Sequence, residues 1–70
     1  MQRSPVKSDF IAAVGYDAGA RELEVEFSDG SLHVYSKVPS TVHKELMAAK
    51  SVGFYFFKKV RDRYSSRVVE

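Results

Sequence analysis

Between Arg21 and Val38 the chain reads RELEVEFSDGSLHVYSKV, and this stretch limits the possible folds more than any other. Leu23, Val25 and Phe27 alternate with Glu22, Glu24 and Glu26, the period-two pattern of a strand with one buried face. Asp29-Gly30 is the dipeptide that suits a two-residue hairpin turn, in which both central residues take positive φ. Such a turn pairs Phe27 with Leu32, Glu26 with His33, Val25 with Val34 and Glu24 with Tyr35. The expected inner face is then Leu23, Val25, Phe27, Leu32 and Val34. The expected outer face carries Glu22, Glu24, Glu26, His33 and Tyr35.

The flanking segments extend this hairpin. Phe10 to Tyr16 reads as a preceding strand, joined through Asp17-Ala18-Gly19-Ala20. A symmetric turn sets Val14 against Leu23, Ala12 against Val25 and Phe10 against Phe27. A one-residue slip would bring Ile11 and Ala13 inside instead. Val38-Pro39-Ser40 ends the sheet, and Ser40 or Thr41 is placed to cap a first helix. Its apolar side is Val42, Leu46, Met47 and Ala49, while His43, Lys44 and Lys50 tend toward solvent. Ser51-Val52-Gly53 interrupts the pattern, and Ser51 caps a second helix from about Phe54 to Tyr64. On that helix Phe56, Phe57, Val60 and Tyr64 are expected to dock on the sheet. Tyr55, Lys58, Lys59 and Asp62 share its opposite side. Residues 1–5 read as a flexible arm, 6–64 as a single domain, and 65–70 as a basic-then-apolar tail, frayed or added as a brief strand. The fold class is α+β: a three-stranded antiparallel β-meander followed by two short α-helices packed on one face.

Seventy residues lie near the lower limit at which a core alone holds a fold. The chain has no cysteine, so disulfides and thiolate metal sites are excluded, and packing of its five Phe, four Tyr and branched aliphatics must suffice. No segment has the layout of a signal peptide, and no apolar run approaches the roughly 20 residues that span a bilayer. A soluble, cytoplasmic monomer or weak homodimer, with no membrane association, is expected.

Charge is the informative asymmetry. Residues 1–40 hold four basic and six acidic side chains, a balance of −2, whereas residues 41–70 hold seven and three, a balance of +4. The spacing brings neither histidine, His33 nor His43, to a serine that it would activate, so no enzyme activity is expected. Glu22, Glu24 and Glu26 along one strand read as a solvated face; no metal or other cofactor is expected. Gly53-Phe54-Tyr55-Phe56-Phe57 is similar in outline to the aromatic ribonucleoprotein motif. It departs from that motif at Val52, Tyr55 and Lys59, and it reads as helix. The stronger candidate surface is the basic aromatic side of the second helix and tail: Tyr55, Lys58, Lys59, Arg61, Arg63 and Arg67. Long cationic side chains contact phosphates, and an exposed tyrosine can stack on a base. His33 and Tyr35 form a secondary candidate surface, with Glu26 and Glu24 as their expected cross-strand neighbours.

The ordered set Val6, Ser8, Ile11, Gly15-Tyr16-Asp17, Leu23-x-Val25-x-Phe27-x-x-Gly30, Tyr35, Val38-Pro39, Ala49, Ser51, Gly53, Tyr55-Phe56, Val60 and Tyr64 resembles the KTSC domain. That family takes its name from a region at the C-terminus of some lysyl-tRNA synthetases, and it also occurs as a small stand-alone bacterial protein. The likeness spans about residues 6 to 64. His33 replaces the first residue of the family's frequent Tyr-x-Tyr, and Phe57 stands where an asparagine is frequent. The resemblance implies a compact α+β domain, with RNA binding suggested by the association with tRNA synthetases. The reading is a small non-catalytic module binding RNA weakly and in a salt-sensitive way through its second helix. The alternative is a protein-interaction module or adaptor that binds no nucleic acid.

Overall fold

The computed structural model describes residues 3–69. The elements run β1 (Arg3–Pro5), β2 (Ile11–Asp17), β3 (Glu22–Phe27), β4 (Leu32–Tyr35), α1 (Ser40–Ala48), α2 (Val52–Lys59) and β5 (Ser66–Val68). The expected α+β class holds, but the antiparallel sheet has five strands in the order β1-β2-β3-β4-β5 rather than three. Arg3–Pro5 is an edge strand on β2 rather than a loose arm. The tail adds the opposite edge by pairing Ser66 with Tyr35 and Val68 with His33. Met1 and Gln2, also assigned to the arm, lie outside the described residues, as does Glu70 of the tail.

The hairpin register differs from expectation by one residue. Phe27 N donates to Ser31 O at 2.9 Å and Gly30 N to Phe27 O at 3.0 Å, so the connection has three residues, Ser28, Asp29 and Gly30. Gly30 ends it in the left-handed region at φ 93°, the position that a three-residue hairpin loop reserves for glycine. Asp29 Oδ1 accepts from Ser31 N at 2.9 Å and from Ser31 Oγ at 2.7 Å. Local bonding of this kind stabilises the longer turn. The observed pairs are Glu26–Leu32, Val25–His33, Glu24–Val34 and Leu23–Tyr35. Because side chains alternate with period two, this single step exchanges the faces of β4 completely. His33 and Tyr35 lie on the core side, and Leu32 and Val34 lie on the face that carries the glutamates.

A β-bulge at Ala12 corrects the other pairing. Ile11 pairs with Phe27 but Ala13 pairs with Glu26, leaving Ala12 as the extra residue. Ile11 and Val14 therefore both point inward, and both are fully buried. Phe10 falls outside the strand and is 58% exposed. The turn into β3 closes Asp17 on Glu22, which sets Val14 against Val25 and Tyr16 against Leu23, two residues from the symmetric expectation.

One core results, between the inner sheet face and the two helices: Ile11, Val14, Leu23, Val25, Tyr35, Val38, Leu46, Val52, Phe56 and Val60. Phe56 sits at its centre, with edge-to-face contacts to Tyr35 at 5.4 Å and Phe27 at 5.5 Å. Tyr16 hydroxyl donates to Val38 O at 2.5 Å, tying β2 to the chain entering α1. The outer face is ionic. Arg3 of β1 pairs with Glu24 and, at 3.4 Å, with Glu26, while Arg67 of β5 pairs with Glu22 at 3.2 Å. Val34, flanked by Glu24 and Arg67, is 3% exposed yet stands outside the core cluster. Long charged side chains cover apolar surface with their stems in this way.

The two helices start differently. Neither Ser40 nor Thr41 caps α1; Pro39 occupies the cap position without a side-chain bond. Of the expected apolar side of α1, Leu46 is buried, but Met47 is 36% exposed. His43 does not project freely, since its ring stacks on Tyr16 at 4.9 Å and 10°. By contrast Ser51 caps α2 as expected, its Oγ accepting from Phe54 N at 3.2 Å.

Candidate nucleic-acid interface

α2 turns Val52 and Phe56 into the core, with Val60 one further turn along at its C-terminal cap. That stripe leaves Phe54, Phe57, Lys58 and Lys59 on the remaining circumference. Phe54 is 64% and Phe57 39% exposed, so Phe57 is not the core residue that its helical spacing suggested. Two cations lie over the two rings. Lys58 Nζ is 5.5 Å from the Phe54 centroid, and the Arg61 guanidinium carbon is 5.3 Å from that of Phe57. Each pair is spaced i, i+4, which brings side chains one above the other, and the ring quadrupole attracts the cation.

The loop between β1 and β2 adds Phe10, whose ring meets Phe57 edge-to-face at 5.8 Å. Several bonds hold that loop in place. Ser8 Oγ accepts from Phe10 N at 3.2 Å and Ile11 N at 3.3 Å. Ser28 N donates to Phe10 O at 2.9 Å, and Ser28 Oγ donates to Asp9 O at 2.8 Å. Gly53 permits the close approach, because a Cβ there would lie 3.1 Å from Ser8 Oγ. Between loop and helix is an open cleft of about 750 Å³, lined among others by Lys7, Phe10, Lys50, Phe54 and Phe57.

The six residues expected at the interface divide. Lys58 and Lys59 are exposed on α2, and Arg61 is exposed just beyond it, with Asp62 at 3.7 Å. Tyr55 is half-buried against the core, and its hydroxyl donates to Glu45 Oε1 at 2.8 Å. Desolvation, and then the bond to Glu45, push its pKa up to about 12. It joins α2 to α1 and is not free to stack on a base. Arg63 is exposed at the far end, beside Lys37 and Tyr64. Arg67 lies on the opposite sheet face, bound to Glu22.

The secondary surface is also relocated. Tyr35 is 3% exposed under Phe56, and burial raises its pKa. His33 packs edge-to-face on Phe27 at 5.0 Å. Both line an open cleft of about 510 Å³ that Phe57 and Arg61 share. Sequence reasoning missed Phe10, Phe54, Lys7 and Lys50. For Phe54 a signal was present: it lies two residues from both Val52 and Phe56, on the side of the helix opposite the core stripe. For Phe10 the sequence offered only the one-residue slip that brings Ile11 inside; the bulge that settles it is a tertiary feature.

Among the described residues, no three His, Cys, Asp or Glu side chains gather as metal ligands, and no helix is long and apolar enough to cross a membrane. Fold and surface define a small α+β module that presents a mixed aromatic and basic helix face opposite an ion-paired sheet face. The chain belongs to the KTSC domain family, whose model matches residues 7–64. A KTSC domain protein from Yersinia pestis has the same fold, with a TM-score of 0.93 at 34% identity over 99% of this chain and 97% of that one. An uncharacterized protein of Stutzerimonas stutzeri is 40% identical over 67 residues, 91% of this chain and 94% of its own length. A lysine--tRNA ligase of Nostoc sp. is 40% identical over 58 residues, covering 83% of this chain but 10% of the ligase.

Proposed function

We propose that this chain is a non-catalytic module that binds RNA through the basic aromatic face of α2. The observation that carries this reading is the exposed ring of Phe54 with Lys58 over it, in a cleft shared with Lys50 and Lys59; among the described residues these three lysines have no carboxylate partner. Lys50, Lys58 and Lys59 are available to phosphates, whereas the three glutamates of the sheet face are ion-paired with two arginines, Arg3 and Arg67. Support also comes from the Nostoc relative, which is by its name a ligase of a transfer RNA. Binding that rests on phosphate neutralisation is weak, on the order of 10⁻⁴–10⁻⁶ M, and falls steeply with salt. Titration of single-stranded and hairpin RNA at low salt tests it. Lys58→Glu with Lys59→Glu abolishes binding while the fold, read by circular dichroism, is kept; stability falls by about 1–2 kcal/mol, because both lysines lie in the last turn of α2. Absence of wild-type affinity over that range refutes the proposal.

A protein-docking role is the second reading, favoured by the exposure of Phe10 and Phe54. A partner retained on the immobilised domain after nuclease treatment, and released by Phe54→Ala, would support it over the first.

A further inference from the structure

Three open clefts adjoin along α2: two share Lys50, Ser51 and Phe54, and the third meets the central one at Phe57. Phe54 walls both a cleft of about 460 Å³ shared with Lys50, Lys58 and Lys59 and the central cleft of about 750 Å³. Phe57 walls both the central cleft and the one of about 510 Å³ that holds Arg61, His33 and Tyr35. Successive recesses with an aromatic ring at each junction fit a linear polymer with flat, repeating side groups. Four lysines and one carboxylate, Asp9, line the first two clefts, so the polymer that fits is an anion. The third cleft is mixed, with Asp29 and Asp62 beside Arg61.

We propose that this track holds an unpaired nucleic-acid strand, its bases stacked against Phe54 and Phe57 and its phosphates following the lysines. The proposal deepens the RNA-binding reading and rests on it. A base stacks on an aromatic side chain through its π-face, which an unpaired strand exposes and a duplex hides within its own stack. Lys58 and Arg61 each lie within 5.5 Å of a ring centroid and bring positive charge beside the two rings. Phe57 is flanked edge-to-face by Phe10 at 5.8 Å and Phe56 at 5.7 Å. Duplexes, whose phosphates still reach Lys58 and Lys59, bind by charge alone.

Fluorescence anisotropy with a mixed-sequence RNA of roughly 12 nucleotides, single-stranded and as its blunt duplex, tests the proposal at low salt. The single strand is expected to bind about tenfold or more tighter than the duplex. Phe54→Ala weakens the single strand by about 5- to 150-fold, the usual loss for one stacked base, and leaves the duplex unchanged. Phe54→Trp restores the preference, and 2-aminopurine within the strand is quenched by wild type but not by Phe54→Ala. Equal affinities with a silent Phe54→Ala overturn the stacked-strand proposal while leaving RNA binding by charge intact. Failure of both probes to bind wild type overturns both.

Discussion

Replacing Tyr35 with alanine tests the register of the sheet most directly. Tyr35 is 3% exposed, packs edge-to-face on Phe56 at 5.4 Å and pairs with Leu23. Removing a buried aromatic ring of this size costs about 3–5 kcal/mol through lost transfer energy and the cavity left behind. Domains are stable by roughly 0.05–0.15 kcal/mol per residue, so a 70-residue chain has about 4–10 kcal/mol in all. Tyr35→Ala therefore removes a third or more of the stability and leaves the protein partly unfolded in water if the total is at the lower end. Tyr35→Phe, which keeps the ring and loses the hydroxyl, costs only about 1 kcal/mol. Urea denaturation followed by far-ultraviolet circular dichroism measures both, and with a slope of about 1 kcal/mol per molar the alanine midpoint falls by about 3–5 M. A two-residue turn would instead lay the ring over Glu24 on the solvated face, where truncation changes stability by no more than about 0.5 kcal/mol. A loss for Tyr35→Ala below about 1 kcal/mol would falsify the three-residue turn and the face assignment that follows from it.

Two further perturbations probe the helices. His43 is held below its ordinary pKa by burial against Tyr16. The unfolded chain takes up a proton near pH 6.5 that the folded state resists, so this stability is present above about pH 6.5 and lost as pH falls toward the lowered folded value. His43→Phe keeps the stack without titrating, and its melting temperature should decline less than wild type between about pH 7 and pH 5; parallel declines would refute the assignment. Ser51→Ala removes the one side-chain cap of α2 and costs about 1 kcal/mol, whereas Ser40→Ala and Thr41→Ala, at a helix start with no side-chain cap, stay within about 0.5 kcal/mol. Denaturant midpoints that rank these three otherwise would contradict the capping geometry.

The parts of the fold that were legible in sequence are those written locally. Ser51 before an apolar stripe announces α2, Glu alternating with Leu, Val and Phe announces β3, and the strands-then-helices order announces an α+β domain. β1 was not legible, and β5 only as one of two alternatives for the tail, since three-residue strands hold no periodicity and form on the free edges of β2 and β4. Lys58 and Lys59 of the candidate surface were legible as exposed cations on a helix. Arg67 was not separable from them, because its position on β5 sends it through the alternation of the sheet to Glu22 on the far side.

The amino-acid sequence by itself determined the types of β2 to β4 and of the two helices, the inner stripe of β3, Phe56 and Val60 of the α2 stripe, and the concentration of positive charge in the C-terminal half. These depend on local period and composition, and a helix stripe more than a quarter-turn wide tolerates an error of one residue. Which face each strand presents was decided only in the tertiary structure. Period two makes one extra turn residue at Ser28–Gly30, or one bulged residue at Ala12, invert everything beyond it, and nothing local distinguishes a two-residue from a three-residue loop until Asp29 binds Ser31. Those two single-residue steps turn Tyr35 inward and Phe10 outward, where Phe10 meets Phe57 beside α2.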